Sequence, residues 1–76
     1  MKVKVYSTQS CPWCHKVKDL LKSKGVKFDD IDVGANQKAA EEMVQKSGQM
    51  GVPVTEINGK IIVGYDKEAI EEALAE

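Results

Sequence analysis

Cys11 and Cys14 enclose Pro12 and Trp13, and His15, the chain's single histidine, follows directly. Cys-x-x-Cys supports three chemistries: half of a zinc site, a redox couple or, with the histidine, a haem attachment point. A closed structural zinc site takes four ligands, usually two such pairs or one pair with two histidines. This chain has one pair and one histidine, and the spacing of its carboxylates suggests no way to complete a site. Haem attachment takes place outside the cytoplasm. Here Met1-Lys2-Val3-Lys4-Val5-Tyr6 alternates charge with apolar residues and does not read as a secretory signal. The expected location is the cytoplasm, where two cysteines are better suited to metal or redox chemistry than to a structural disulfide.

The redox reading accounts for the most residues. It needs Cys11 at the end of a strand and the start of a helix. There, unpaired N–H groups and the positive helix end favour a thiolate. A helix N-terminus in a Cys-x-x-Cys motif lowers a cysteine pKa from about 8.5 into the range ~3.5–7.5. Cys14, one turn on, would be within reach but deeper, as a resolving thiol. Pro12 suits the first helical turn, where its missing N–H is no loss. Trp13 is either a platform for substrate or a cover over the cysteine pair. His15 is a possible base toward Cys14, or a solvent-facing side chain. Tyr6 is placed either near the site or, in preference, in the core.

The rest of the chain must supply that strand and helix. Val3 and Val5 alternate with Lys2 and Lys4 as in a strand. Cys14, Val17, Leu20 and Leu21 follow at helical spacing, and Gly25 ends the helix. Val26, Phe28, Ile31 and Val33 read as one strand with a bulge near Asp29-Asp30, because the alternation shifts phase there. Asn36 caps a second helix, with Ala39, Ala40, Met43 and Val44 as its apolar stripe, and Gly48 closes it. Val52 to Ile57, Asn58-Gly59 and Lys60 to Val63 form a hairpin. Asp66 caps the last helix, and Tyr65 is expected to staple onto Ile70. The order is β-α-β-α-β-β-α, an α/β fold with a right-handed parallel pair at its start.

The 76 residues form one domain, 1–76, with 42% hydrophobic and 30% charged residues. A net charge of -1 gives no reason to expect nucleic acid or an anionic membrane as partner. No apolar run approaches the ~18–20 residues needed to span a bilayer.

Nearly the whole chain resembles the glutaredoxin branch of the thioredoxin fold. The resemblance rests on Cys-Pro-aromatic-Cys after the first strand and on Lys22-Ser23-Lys24-Gly25-Val26-Lys27-Phe28 leading into the second. Val52-Pro53 and Gly64-Tyr65-Asp66 complete it. It implies a thioredoxin-like, four-stranded mixed sheet with three helices. It also implies a thiol–disulfide oxidoreductase in which Cys11 attacks and Cys14 resolves. The Val52-Pro53 bond should be cis, leaving the Val52 backbone to pair with an extended substrate. Glutathione, a co-substrate rather than a bound cofactor, would meet Thr8, Trp13, Val52, Pro53, Gly64, Tyr65 and Asp66, the last through its free amine. The protein would act as a monomer on disulfide-bearing proteins or glutathione, with no resident metal.

Two positions depart from the family pattern. Thr8 stands where the family usually has a lysine that contacts the glycyl carboxylate of glutathione. Lys16 and Lys18 are no evident replacement, since helical geometry leans Lys16 away from Cys11. Val63-Gly64 stands where a Gly-Gly pair is common, and a glycine followed by an aromatic is similar to the small hydrogen-donor redoxins of ribonucleotide reductase. Electrons could therefore come from the glutathione system or from thioredoxin reductase. A glutathione-ligated iron–sulfur cluster carrier is a further alternative, disfavoured by Pro12.

Overall fold

The computed structural model describes residues 2–75. These form β1 (Val3–Ser7), α1 (Pro12–Ser23), β2 (Asp29–Asp32), α2 (Gln37–Ser47), β3 (Val54–Ile57), β4 (Lys60–Val63) and α3 (Lys67–Leu74). The sheet order is β2-β1-β3-β4, with β1 parallel to β2 and antiparallel to β3, and β4 antiparallel to β3. This is the expected thioredoxin-like arrangement. Asn58 and Gly59 both take positive φ, 50° and 89°, as a two-residue turn between right-twisted strands requires.

The period of two along the strands separates two cores. On one face, Val3, Val5, Ile57 and Ile62 meet Val17 and Leu21 of α1 and Ile70 and Ala73 of α3. Each fully buried aliphatic side chain there contributes about 1.5–3 kcal/mol. On the other face, Tyr6 and Val54 meet Met43 of α2. This smaller core is flanked by polar contacts. Tyr6 Oη donates to Glu42 at 2.7 Å, and Lys46 Nζ bonds Tyr6, Glu42 and Glu56. Tyr6 is thus a core residue, and burial together with the Glu42 bond pushes its phenol above the ordinary 10.

Three expectations need correction. The second strand is shorter than the run 26–33 and has no bulge: Lys4 to Ser7 pair one-to-one with Asp29 to Asp32. The phase shift has another cause. Val26 and Phe28 pack on the larger core, whereas Ile31 and Val33 pack on the smaller one across the sheet. The third strand begins at Val54 rather than Val52, because Val52 and Pro53 form an approach loop with a cis bond. Tyr65 does not join Ile70 in the larger core; its ring centroid lies 6.1 Å from that of Trp13.

Candidate active site

β1 runs its last residues toward the start of α1, and residues 8–10 turn between them. Cys11 is the N-cap of α1, in extended conformation, and its Sγ accepts the Cys14 N–H at 3.1 Å. Pro12 opens the helix behind it. Cys11 and Cys14 form a disulfide, with Cα atoms 5.2 Å apart. Their surroundings differ: Cys11 is partly exposed and Cys14 is fully buried. An attacking sulfur needs solvent access and donors for its charge, and Cys11 has both. A resolving sulfur needs only its partner.

Cys11 Sγ lies 4.0 Å from the Val52 carbonyl oxygen. The cis Val52-Pro53 bond turns the chain beside the cysteines, and the Val52 N–H has no hydrogen-bond partner among the described residues. Gly64 N–H donates to Pro53 O at 2.9 Å and ties this loop to the end of β4. Gly64 has φ +77°, a conformation that side chains disfavour, and it delivers Tyr65 to the same place. Trp13, Val52, Pro53, Gly64 and Tyr65 line an open groove of about 310 Å³. Trp13 is 54% exposed and forms a wall of that groove as well as a neighbour of the cysteine pair. Asp66 caps α3 by accepting the Ala69 N–H at 3.1 Å, one residue beyond the lining.

Thr8 lines a different groove, of about 570 Å³, with Gln9, Ser10, Asp32, Gly34 and Ala35. In an adjoining cleft, Asp30 accepts from the buried Ser7 hydroxyl at 3.0 Å and pairs with Lys18 at 3.0 Å. Burial raises the Asp30 carboxyl, but the bonds from Lys18 and Ser7 outweigh it and hold it below its ordinary 3.8. His15 Nε2 lies 3.3 Å from the Gln9 carbonyl oxygen, so it braces the loop before Cys11. Among the described residues, no group of three His, Cys, Asp or Glu side chains is placed to hold a metal ion. No described helix is long and apolar enough to cross a membrane.

Two features escaped the sequence reading. Lys18 and Asp30 meet because β2 lies parallel to β1, which no local pattern announces. Lys16 Nζ lies 4.5 Å from the centroid of the Trp13 ring. A lysine three residues after a tryptophan on a helix was a legible signal for that contact.

Residues 3–62 match the glutaredoxin family. The chain belongs to the glutaredoxin family. It is 49% identical over 72 residues to an uncharacterised glutaredoxin-like protein of the rubredoxin operon of Clostridium pasteurianum, covering 95% of this chain and 96% of the relative. It is 41% identical over 64 residues to glutaredoxin 3 of Escherichia coli, covering 84% of this chain and 77% of that one. Among solved structures it is similar to the glutaredoxin-like NrdH-redoxin of Escherichia coli. The TM-score there is 0.85, with 25% identity over 95% of this chain and 93% of the other. Glutaredoxins are thiol–disulfide oxidoreductases, working with disulfide substrates and reductase donors, and this chain is a redox protein of that kind with Cys11 and Cys14 as its Cys-x-x-Cys pair.

Proposed function

We propose that the protein reduces protein disulfides, or mixed disulfides with glutathione, through Cys11 and Cys14, as a cytoplasmic monomer with no bound cofactor. The observation that carries this reading is the asymmetry of the pair, with Cys11 partly exposed at a helix N-terminus and Cys14 buried behind it. The Cys11 thiolate attacks one sulfur of the substrate disulfide. That S–S bond breaks, and the departing sulfur leaves as a thiolate that takes a proton from water. Cys14 loses its proton to solvent and attacks Cys11 Sγ, releasing the second substrate sulfur. Two electrons pass from the dithiol to the substrate, and the Cys11–Cys14 disulfide remains. Two glutathione thiols, or a flavoprotein reductase, return the electrons.

Val52 supports the substrate half of this reading. Its free N–H beside Cys11 suits pairing with the backbone of an extended peptide, such as glutathione or a cysteine-bearing segment. Trp13, Pro53, Gly64 and Tyr65 would flank it, and Asp66 would meet an amine.

The test is to offer glutathione mixed disulfide to the wild type, Cys11→Ser and Cys14→Ser. Cys14→Ser should accumulate a mixed disulfide at Cys11, seen by mass spectrometry, and Cys11→Ser should form none. With limiting iodoacetamide near neutral pH, the reduced wild type should be labelled at Cys11 well before Cys14. Equal labelling would remove the assignment.

A second reading concerns the electron donor. Thr8 carries no charge where the family usually has a lysine, which favours weak use of glutathione and supply by thioredoxin reductase. The structurally similar NrdH-redoxin of Escherichia coli has a thioredoxin-like activity profile. Oxidised protein offered glutathione with glutathione reductase, or thioredoxin reductase with NADPH, separates the two.

A further inference from the structure

Two of the lysines on and beside α1 are neutralised by ion pairs. Lys18 pairs with Asp30 and Lys24 with Glu71, each at 3.0 Å. Lys16 differs. It makes no ion pair among the described residues, and its ammonium lies over the Trp13 ring, 4.5 Å from the centroid. Long helical side chains lean toward the helix N-terminus, and here that lean brings Lys16 back one turn to a wall of the reactive groove. The ring's negative face holds the cation while leaving part of its hydration open. Asp66, the carboxylate next to Tyr65, has an oxygen engaged by the Ala69 N–H at the start of α3. None of the groove's five lining residues carries a formal charge. A positive charge with no ion partner among the described residues therefore stands over the ring that walls a groove whose own lining is uncharged.

We propose that Lys16 is a specificity-determining residue that gives this groove a preference for small disulfides bearing a carboxylate near the sulfur. The inference rests on the proposed thiol–disulfide activity at Cys11. The groove, at about 310 Å³, is at the small end of ligand pockets, which suits a low-molecular-weight thiol compound. Lys16 acts on the part of the substrate lying against Trp13. Its effect must therefore depend on substrate charge, whereas a general effect on the Cys11 thiolate would change every substrate alike.

Reduced full-length protein is mixed in a stopped flow with three disulfides of similar size: dianionic 3,3′-dithiodipropionate, neutral 2-hydroxyethyl disulfide and dicationic cystamine. Trp13, the chain's one tryptophan, reports oxidation of the adjacent pair by its fluorescence. The quantity read is the ratio of second-order rate constants, anionic over cationic. An exposed charge pair is worth about two- to fivefold. Lys16→Gln should accordingly lower the ratio about threefold or more, Lys16→Glu should lower it further, and Lys16→Arg should keep it. High salt should shrink the wild-type ratio toward that of Lys16→Gln. If Lys16→Gln and Lys16→Glu leave the ratio where it was, whether or not all three rates fall together, the inference is overturned. If the reduced wild type reacts with none of the three, the proposed activity itself is removed, and the inference with it.

Discussion

Two grooves adjoin the reactive cysteine, and they are built from different material. One is lined by Trp13, Tyr65 and the backbone of Val52, Pro53 and Gly64, with a lysine over its aromatic wall. The other is lined by Thr8, Gln9, Ser10 and Asp32 with two small residues, beside the Ser7–Asp30–Lys18 cluster. The first offers stacking surface, a backbone donor with no partner among the described residues and a lysine over one aromatic wall. The second offers hydroxyls, amides and a carboxylate whose Oδ1 accepts the Gly34 N–H at 2.9 Å. On the proposed reading, an extended, carboxylate-bearing disulfide is expected in the first groove, away from the Asp32 carboxylate of the second. The difference means that the two sides of Cys11 offer a substrate different chemistry.

The sharpest way to break this comparison is to remove a wall from each groove. Trp13→Ala and Tyr65→Ala should each lower kcat/KM for glutathione mixed disulfide about tenfold, the worth of ~1.4 kcal/mol of aromatic contact. Thr8→Ala should change it by less than about threefold, in line with a weak exposed contact. Equal losses on both sides would mean that substrate bridges the two grooves.

Thr8→Lys sharpens the same point from the other side. A charged hydrogen bond contributes about 1.5–3 kcal/mol, less when exposed. Activity with glutathione and glutathione reductase should then rise about fivefold to tenfold, while turnover with thioredoxin reductase stays nearly constant. A wild type already at the rate of Thr8→Lys would show that the missing lysine costs nothing here.

A charged pair lies in a cleft that shares Thr8, Gln9 and Asp32 with the polar groove, and none of the aromatic groove's lining residues is charged. Asp30 is held below its ordinary 3.8 in the folded chain, so its contribution to stability is present above that value and is lost as pH falls through the lowered one. Asp30→Asn should lower the Tm at neutral pH by a few degrees, at most ~1 kcal/mol for a pair whose carboxylate is half exposed. The gap between variant and wild type should close in acid, as followed by circular dichroism.

A further expected effect comes from a residue that lines neither groove. Thr55 is fully buried on β3, and its hydroxyl has no hydrogen-bond partner among the described residues. Thr55→Val keeps the shape and removes the orphaned group, so the Tm should rise by the equivalent of about 1 kcal/mol. Rates with all substrates should be unaltered; a change in them would mean that groove geometry responds to the core.

Most of the fold was legible because its signals are local. Asn36 and Asp66 cap their helices through side-chain oxygens that reach the Ala39 and Ala69 N–H groups. Asn58-Gly59 turns the hairpin. The error in the second strand came from reading one alternating run where the chain serves two cores on opposite faces of the sheet. The error at Tyr65 came from a local pairing rule that lost to a ring on another helix.

Residue order by itself determined the cysteine pair at a helix start, the period-two faces of β1 and β3, the caps and the hairpin. Each depends on neighbours within about four positions, where backbone geometry alone sets which groups meet. Tertiary structure alone decided that Val52, Gly64 and Tyr65 face Trp13, that Thr8 faces Asp32 and Gly34, and that Lys18 reaches Asp30. Those meetings depend on which strands lie side by side, and strand order follows from burying both faces of the sheet at once rather than from any single segment.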